Sequence, residues 1–199
     1  MKMTTLFAAT LCFTLALSAN AWVDFVDCSA DQQPIVQSAI DSSHAWIDNA
    51  LANIALPQPN GTYAKWFGSY TDSNLSTVKT NLQTIRSHLL IGVISAHCQC
   101  PASADTDHDY ALVDSPNHGI KKTPYNVYFC NKFFAGATPD IGFDSRPGIV
   151  IHEMSHFDNV ADTIDECSSF TNRQSLAALP DHAIVSAGNY EYYVEEVQP

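Results

Sequence analysis

The chain has 199 residues, of which 9 are Lys or Arg and 21 are Asp or Glu, and its formal net charge is −12. This acidic balance argues against nucleic acid as a partner, because binding to the phosphate backbone depends on basic side chains. Beyond the N-terminus, no apolar stretch approaches the ~20 residues that span a bilayer. We therefore expect one soluble domain with no nucleic-acid or membrane partner.

The first residues have the pattern of a secretory signal. Lys2 precedes an apolar run from Leu6 to Leu17, and Ala19 to Ala21 forms a small-x-small cleavage site. We predict that residues 1–21 are a signal peptide, that residues 22–199 are the mature domain, and that the protein is secreted. Five of the six cysteines lie beyond this signal. In an oxidising compartment, five cysteines predict two disulfides and one free thiol.

Apolar residues recur at helical spacing in two segments of the first half of the chain. They predict one helix from Gln33 to Ile54 and a second helix over Leu75 to Leu89. Asp72 or Ser73 is available as the N-cap of the second helix. Between the helices, Tyr63 to Tyr70 is expected to be a short aromatic link.

The segment from Pro101 to Pro124 is rich in Asp, Ser, Pro and Asn and has no periodicity, which predicts a surface loop. Within it, Asp105 to Asp109 is similar to the start of a calcium-binding loop. However, Tyr110 and Pro116 stand where such a loop needs its turn glycine and its bidentate Glu. We therefore expect a solvated acidic loop.

The second half of the chain alternates between one strand and several helices. Asn126 to Cys130 is a predicted strand, and a helix is predicted from Arg146 to His156 with Pro147 in its first turn. A further helix is expected over Ser168 to Ala178, with Asp181 as the cap of the next one. Together these elements predict an α+β domain that is predominantly helical with a small sheet.

The segment from His152 to His156 has the pattern HExxH. On a helix, residues four apart share a face, so the imidazoles of His152 and His156 can bind one zinc ion. Glu153 is offset toward the water on that ion, where it can act as general base. A catalytic zinc normally has three protein ligands and one water, so a third ligand is required.

Three kinds of residue could supply the third ligand. A third His in the pattern HExxHxxGxxH is absent. A Glu on a later helix would also serve, but Glu166 is the only Glu close behind the motif, and the others come late in the chain. The remaining candidates are the carboxylates of the segment Ala161 to Asp165.

At these residues the chain resembles the aspzincins, the family of deuterolysins and peptidyl-lysine metalloendopeptidases. In this family HExxH is followed by Gly-Thr-x-Asp, and the Asp lies nine residues after the second His. Asp165 lies nine residues after His156, and Thr163 matches the Thr. Asp162 replaces the Gly, and we expect it to be a turn residue rather than an acceptor for a ligand His. The resemblance continues through Tyr63 to Gly68, Cys130 to Phe134, Asp144 to Arg146 and Ala187 to Tyr192.

The resemblance implies a zincin-like metalloprotease domain that binds zinc through His152, His156 and Asp165, with Glu153 as catalytic base. It also implies which cysteines are paired. The expected disulfides are Cys28–Cys98 and Cys100–Cys130, which leaves Cys167 as the free thiol.

Two positions depart from the family pattern. Ser168 stands where the family has a Tyr that helps to hold the transition state, and Tyr190 or Tyr192 is the alternative source of a phenol. Gly188 stands where lysine-selective members have an Asp. Without that carboxylate, strict specificity for Lys is not expected, although Glu191 could attract a basic side chain.

These observations predict a secreted zinc-dependent metalloendopeptidase that hydrolyses peptide bonds in proteins, with a mild preference for basic residues. Its partner is expected to be a protein or peptide substrate, and the protein is expected to be a monomer. The alternative is a catalytically weak, secreted zinc-binding member of the family that acts by binding a partner. Ser168 and Gly188 are the residues that favour this alternative.

Overall fold

The structure is a computed structural model that describes residues 22–55, 61–102, 104–105, 107–113, 124–167 and 170–198. The strands are β1 (Trp22–Val26), β2 (Val93–His97), β3 (Ala111–Val113) and β4 (Tyr125–Phe129). The helices are α1 (Gln32–Ile54), α2 (Thr62–Phe67), α3 (Asp72–Ile91), α4 (Asn131–Ala135), α5 (Arg146–Ser155), α6 (Phe170–Ser175), α7 (Pro180–Ala183) and α8 (Ala187–Glu196), and a 3-10 turn spans Leu176–Ala178. The predicted α+β fold, mostly helical with a small sheet, is confirmed.

The four strands form one sheet in the order β1-β2-β4-β3. β1 and β4 both run parallel to β2, and β3 runs antiparallel to β4, with Ala111 opposite Phe129. The prediction of β4 is confirmed, but the loop prediction for Pro101 to Pro124 was wrong where β3 lies. A strand as short as β3 is stabilised by its pairing with β4, which a local sequence pattern does not reveal.

The two long helices predicted from apolar spacing are confirmed as α1 and α3, which pack against each other. The predicted cap of α3 was wrong. Thr71 has an extended backbone and its side chain accepts a hydrogen bond of 3.1 Å from the amide of Asn74. Because α3 already begins at Asp72, the cap lies one residue earlier than Asp72 or Ser73.

The aromatic link between α1 and α3 contains the short helix α2. Its Tyr63, Trp66 and Phe67 are fully buried. The ring centroids of Trp66 and Tyr192 lie 5.3 Å apart, and those of Phe67 and Tyr190 lie 5.1 Å apart. Through these aromatic contacts α2 packs against α8, and α8 in turn packs against α5.

The predicted helix from Ser168 to Ala178 is shorter in the structure. Helix α6 and the 3-10 turn cover Phe170 to Ala178, and Ser168 lies outside the described residues. Asp181 is inside α7 rather than at its cap, because Pro180 already occupies the first turn.

Both disulfides implied by the family resemblance are present. They are Cys28–Cys98 and Cys100–Cys130, and Cys167 is a free cysteine. None of the helices in the described ranges is long and apolar enough to cross a membrane. The predicted signal peptide, residues 1–21, lies outside the described residues.

Candidate metal centre

The HExxH motif lies on α5, as its spacing predicts. Ser145 caps the helix by accepting a hydrogen bond of 3.0 Å from the amide of Gly148, and Pro147 occupies the first turn. The helix is buried from Pro147 to Ser155, and His156 forms its C-cap. The ring centroids of His152 and His156 lie 4.9 Å apart, so both imidazoles are on one face of the helix.

The chain then turns back toward α5 and brings Asp165 to the same face. Asp162 makes this turn with a φ of 50°, a left-handed conformation that Asp tolerates better than most residues. The amide of Thr163 donates a hydrogen bond of 3.1 Å to the carbonyl of Ser155. Asp162 therefore has the turn conformation that we preferred from the sequence, and the return of the loop positions Asp165.

Three potential metal ligands converge at this point. Asp165 Oδ1 lies 3.0 Å from His152 Nε2, and Asp165 Oδ2 lies 3.6 Å from His156 Nε2. One ligand atom from each of the three residues lies within 4.8 Å of the others. The Asp165 side chain is 63% exposed, whereas those of the two histidines are at most 12% exposed. The cluster thus has a buried side and an open side.

Each imidazole is oriented by a hydrogen bond at its other ring nitrogen. His152 Nδ1 lies 2.8 Å from Glu191 Oε2, and His156 Nδ1 lies 2.9 Å from the carbonyl oxygen of Thr163. Both oxygens are acceptors, so each Nδ1 carries a proton and Nε2 is the nitrogen that can bind a metal ion. Burial favours the neutral form of His152, but its contacts with Asp165 and Glu191 outweigh burial and hold its pKa well above the usual value, so metal binding at this residue releases a proton. With both imidazoles in the neutral form that binds a metal, these two side chains and one carboxylate would make the donor set of an open zinc site.

Electrostatics support the neutral form of one of these ligands. Burial, together with the nearby charge of His152, lowers the pKa of His156 to about 4. This side chain is therefore neutral near pH 7, the state in which an imidazole binds a metal.

Glu153 lies beside the cluster at the wall of a cavity of about 550 Å³. The residue is only 6% exposed, and burial raises the pKa of its carboxyl group to about 8 in the metal-free protein. The positive charge of a bound zinc ion would lower this pKa and favour the carboxylate that a general base requires. The same cavity is lined by His152 and Asp165, so a substrate held in it would meet the metal ligands and this carboxyl group together.

The proposed replacements for the family phenol do not point into this cavity. Tyr190 is fully buried, and its hydroxyl donates a hydrogen bond of 2.8 Å to the carbonyl of Ile184. The Tyr192 hydroxyl donates one of 2.9 Å to Asp144 Oδ1. Tyr110, from the segment predicted to be a solvated loop, instead lines the cavity. Nothing in the sequence around Tyr110 indicated this position.

Arg173 is a further cavity residue that the sequence analysis missed. Its Nη1 donates a hydrogen bond of 3.0 Å to Glu191 Oε2, the same oxygen that His152 contacts. One signal was present in the sequence, because Arg173 is the only Lys or Arg after Arg146. A single cation in an acidic segment is a candidate for a specific ion pair.

Comparison with known proteins agrees with this geometry. A sequence model of the aspzincin family, described as lysine-specific metallo-endopeptidase, matches residues 55–195. The chain is 32% identical to a peptidyl-Lys metalloendopeptidase of Pleurotus ostreatus, over 86% of this chain and 95% of that protein. It is 31% identical to an extracellular protease of Aeromonas hydrophila over 84% of this chain, but spans only 45% of that protein.

A solved structure has the same fold. The zinc peptidase from Grifola frondosa superposes with a TM-score of 0.71 at 30% identity, covering 85% of this chain and 97% of that one. The family match covers more than half of the chain, and the relatives and the solved structure each cover most of it. The chain therefore belongs to the aspzincin family of metallopeptidases.

Proposed function

We propose that this protein is a zinc-dependent metalloendopeptidase that hydrolyses peptide bonds in protein substrates. The observation that carries this proposal is the convergence of two imidazoles and one carboxylate beside the buried Glu153, at the wall of an open cavity. Membership of a family whose relatives are named as extracellular and peptidyl-Lys proteases supports it.

The residue roles follow from the donor set. His152, His156 and Asp165 hold the zinc ion, and Glu153 is the general base. When bound, zinc supplies a Lewis acid that polarises the scissile carbonyl and lowers the pKa of a bound water. Glu153 takes the proton from the attacking water and delivers it to the nitrogen of the leaving amine. Glu153 follows His152 directly on α5, so both transfers take place beside the metal ligands.

Glu191 and Thr163 act as positioning residues. Their oxygens lie 2.8 and 2.9 Å from the Nδ1 atoms of the two histidines, which supports a role in fixing the orientation of each ring. The guanidinium of Arg173, whose Nη1 lies 3.0 Å from Glu191 Oε2, balances the negative charge of this carboxylate.

We further propose that the protein is secreted, with residues 1–21 as signal peptide and residues 22–199 as the metallopeptidase domain. Two disulfides in the described residues support an oxidising destination. We also propose that the protein works as a monomer.

A digestion experiment tests the activity. The zinc-loaded protein is incubated with a denatured protein mixture, and the cleavage sites are read by mass spectrometry, with a chelated sample as control. Reproducible internal cleavage that disappears with the chelator is expected. Binding of zinc without any cleavage would contradict the proposal and favour the alternative, a zinc-binding protein that acts through a partner.

A further inference from the structure

The carboxylate of Glu191 lies in the cavity wall next to the metal ligands and already has two partners. Its side chain is 4% exposed, and its Oε2 accepts hydrogen bonds from His152 Nδ1 at 2.8 Å and from Arg173 Nη1 at 3.0 Å. One partner orients a ligand imidazole. The other is a cation supplied by the chain itself.

Arg173 is held in this place by further contacts. Its Nε donates a hydrogen bond of 3.1 Å to the carbonyl of Cys167, and its guanidinium lies 4.8 Å from the ring centroid of Tyr192. The side chain is 11% exposed. A guanidinium with a carboxylate, a carbonyl and an aromatic face as partners is fixed in orientation rather than mobile in solvent.

Gly188 provides the space for this arrangement. A Cβ atom at residue 188 would lie 2.3 Å from Arg173 Nε and 2.4 Å from its Cδ, closer than nonbonded atoms approach. Any side chain at this position would therefore displace the end of Arg173. The glycine lies inside α8, where glycine is unfavourable for a helix, so its presence is consistent with this packing requirement.

We infer that Arg173 is a specificity-determining residue that occupies the basic-side-chain position against Glu191 and directs the cavity to uncharged substrate side chains. This inference rests on the proposed peptidase function. A substrate Lys entering the cavity would meet the guanidinium, and its preferred carboxylate is already paired. An acidic side chain is disfavoured as well, because the guanidinium that could pair with it is already bound to Glu191, and Asp109 and Asp144 also line the cavity.

This assignment separates the chain from its relative in Pleurotus ostreatus, which is named a peptidyl-Lys metalloendopeptidase. It also differs from the mild preference for basic residues that the sequence alone suggested. The difference arises because the sequence revealed Glu191 as an attractive charge but did not reveal that Arg173 is paired with it.

The test compares zinc-loaded wild type with Arg173→Ala on the same denatured protein mixture. Mass spectrometry gives the ratio of cuts beside Lys to cuts beside uncharged residues, and this ratio is independent of the overall rate. Wild type should cut mainly beside uncharged residues. Removal of the guanidinium should raise the ratio about ten- to a hundredfold, the range expected when a Lys gains a charge-assisted hydrogen bond.

Gly188→Ala is a second variant with the same expected direction, because its methyl group forces Arg173 away from Glu191. Arg86→Ala is the matched control. Arg86 also pairs with a carboxylate, that of Asp48, but it does not line the cavity, so the ratio should stay as in wild type. A direct readout is inhibition by n-butylammonium, which mimics the Lys side chain and should compete in Arg173→Ala but not in wild type.

The outcomes separate the two proposals. Wild-type cleavage mainly beside Lys, or an unchanged ratio in both the Arg173→Ala and Gly188→Ala proteins, would overturn the role of Arg173 and leave the peptidase function in place. A complete lack of cleavage by zinc-loaded wild type would overturn the peptidase function and this inference together.

Discussion

Glu195, in the last turn of α8, accepts hydrogen bonds of 2.7 Å from both the backbone amide and the hydroxyl of Ser145, the N-cap of α5. The metal-ligand helix is therefore anchored at its start by a carboxyl group 50 residues further along the chain. Glu195 Oε2 is buried and has no hydrogen-bond partner among the described residues. Burial, with the charge of Glu191 adding to it, raises the pKa of Glu195 to about 9.

The raised pKa of Glu195 predicts a pH-dependent stability. Because its pKa is 4.5 in the unfolded chain and about 9 in the folded protein, the folded state binds more protons between these values. The contribution of Glu195 to the free energy of unfolding is therefore fully present below pH 4.5 and is lost as the pH rises toward 9. Glu195→Gln keeps an acceptor for Ser145 and cannot ionise. As the pH rises from 4.5 toward 9, the melting temperature of this variant should therefore fall less than that of wild type.

Thermal unfolding at several pH values in one buffer system measures this difference. At the alkaline end, we expect the melting temperature of wild type to have fallen by at least about 2 °C more than that of Glu195→Gln. This difference corresponds to roughly 1 kcal/mol for a domain of this size. Glu196→Gln is the control, because it removes a carboxylate from the partly exposed side of the same helix, where it pairs with Lys65. Parallel curves for wild type and Glu195→Gln would contradict the prediction.

Glu153→Gln should retain zinc and lose activity by about 10²–10⁴-fold, the usual contribution of a general base. The substitution keeps the size of the side chain but removes its ability to accept a proton. Peptidase rate and zinc content are measured on the same preparation. Glu166→Gln serves as control, since its carboxylate contacts His182 outside the metal cluster and should leave both values near wild type. Unchanged turnover in Glu153→Gln would exclude Glu153 as the base.

Asp165→Ala should lose zinc itself, because only two of the three protein ligands remain. Metal analysis after dialysis gives the stoichiometry directly, without reference to activity. Asp162→Asn is the matched control from the same loop, and Asn also tolerates the positive φ of this position. Stoichiometric zinc in the dialysed Asp165→Ala protein would remove Asp165 from the ligand set.

Cys167 should be the only reactive thiol of the mature protein. Four of the five cysteines beyond residue 21 are joined in Cys28–Cys98 and Cys100–Cys130. Alkylation of the denatured, unreduced protein should therefore modify one cysteine, which peptide mapping identifies. A disulfide at Cys167 would overturn the pairing.

Gly188→Asp tests how Arg173 and Gly188 act together. From the sequence alone, this substitution is expected to sharpen cleavage beside Lys by adding a carboxylate to the cavity. In the structure, residue 188 lies against Arg173, so the new carboxylate should pair with the guanidinium and leave cleavage beside Lys low. The double variant Gly188→Asp with Arg173→Ala should instead favour Lys strongly. Mass spectrometry of the cleavage sites compares the single and the double variant with wild type. Cleavage mainly beside Lys by the single variant Gly188→Asp would contradict the prediction.

The sequence by itself determined the features that depend on local spacing. Residues four apart on a helix share a face, so the HExxH pattern was sufficient to predict that His152 and His156 point the same way. Apolar spacing predicted α1 and α3 for the same reason. The roles of Asp165 as ligand and Glu153 as base stay predictions, although the structure brings both side chains to the cavity that His152 lines.

Only the tertiary structure decided the features that depend on contacts between distant segments. The pair of Glu191 with Arg173, the space that Gly188 leaves for it and the anchor from Glu195 to Ser145 all join separate elements. A local pattern carries no information about which side chain fills the space beside a given carboxylate, because that is set by how helices pack. The sequence therefore predicted the catalytic motif, whereas packing determined which charge a substrate meets beside it.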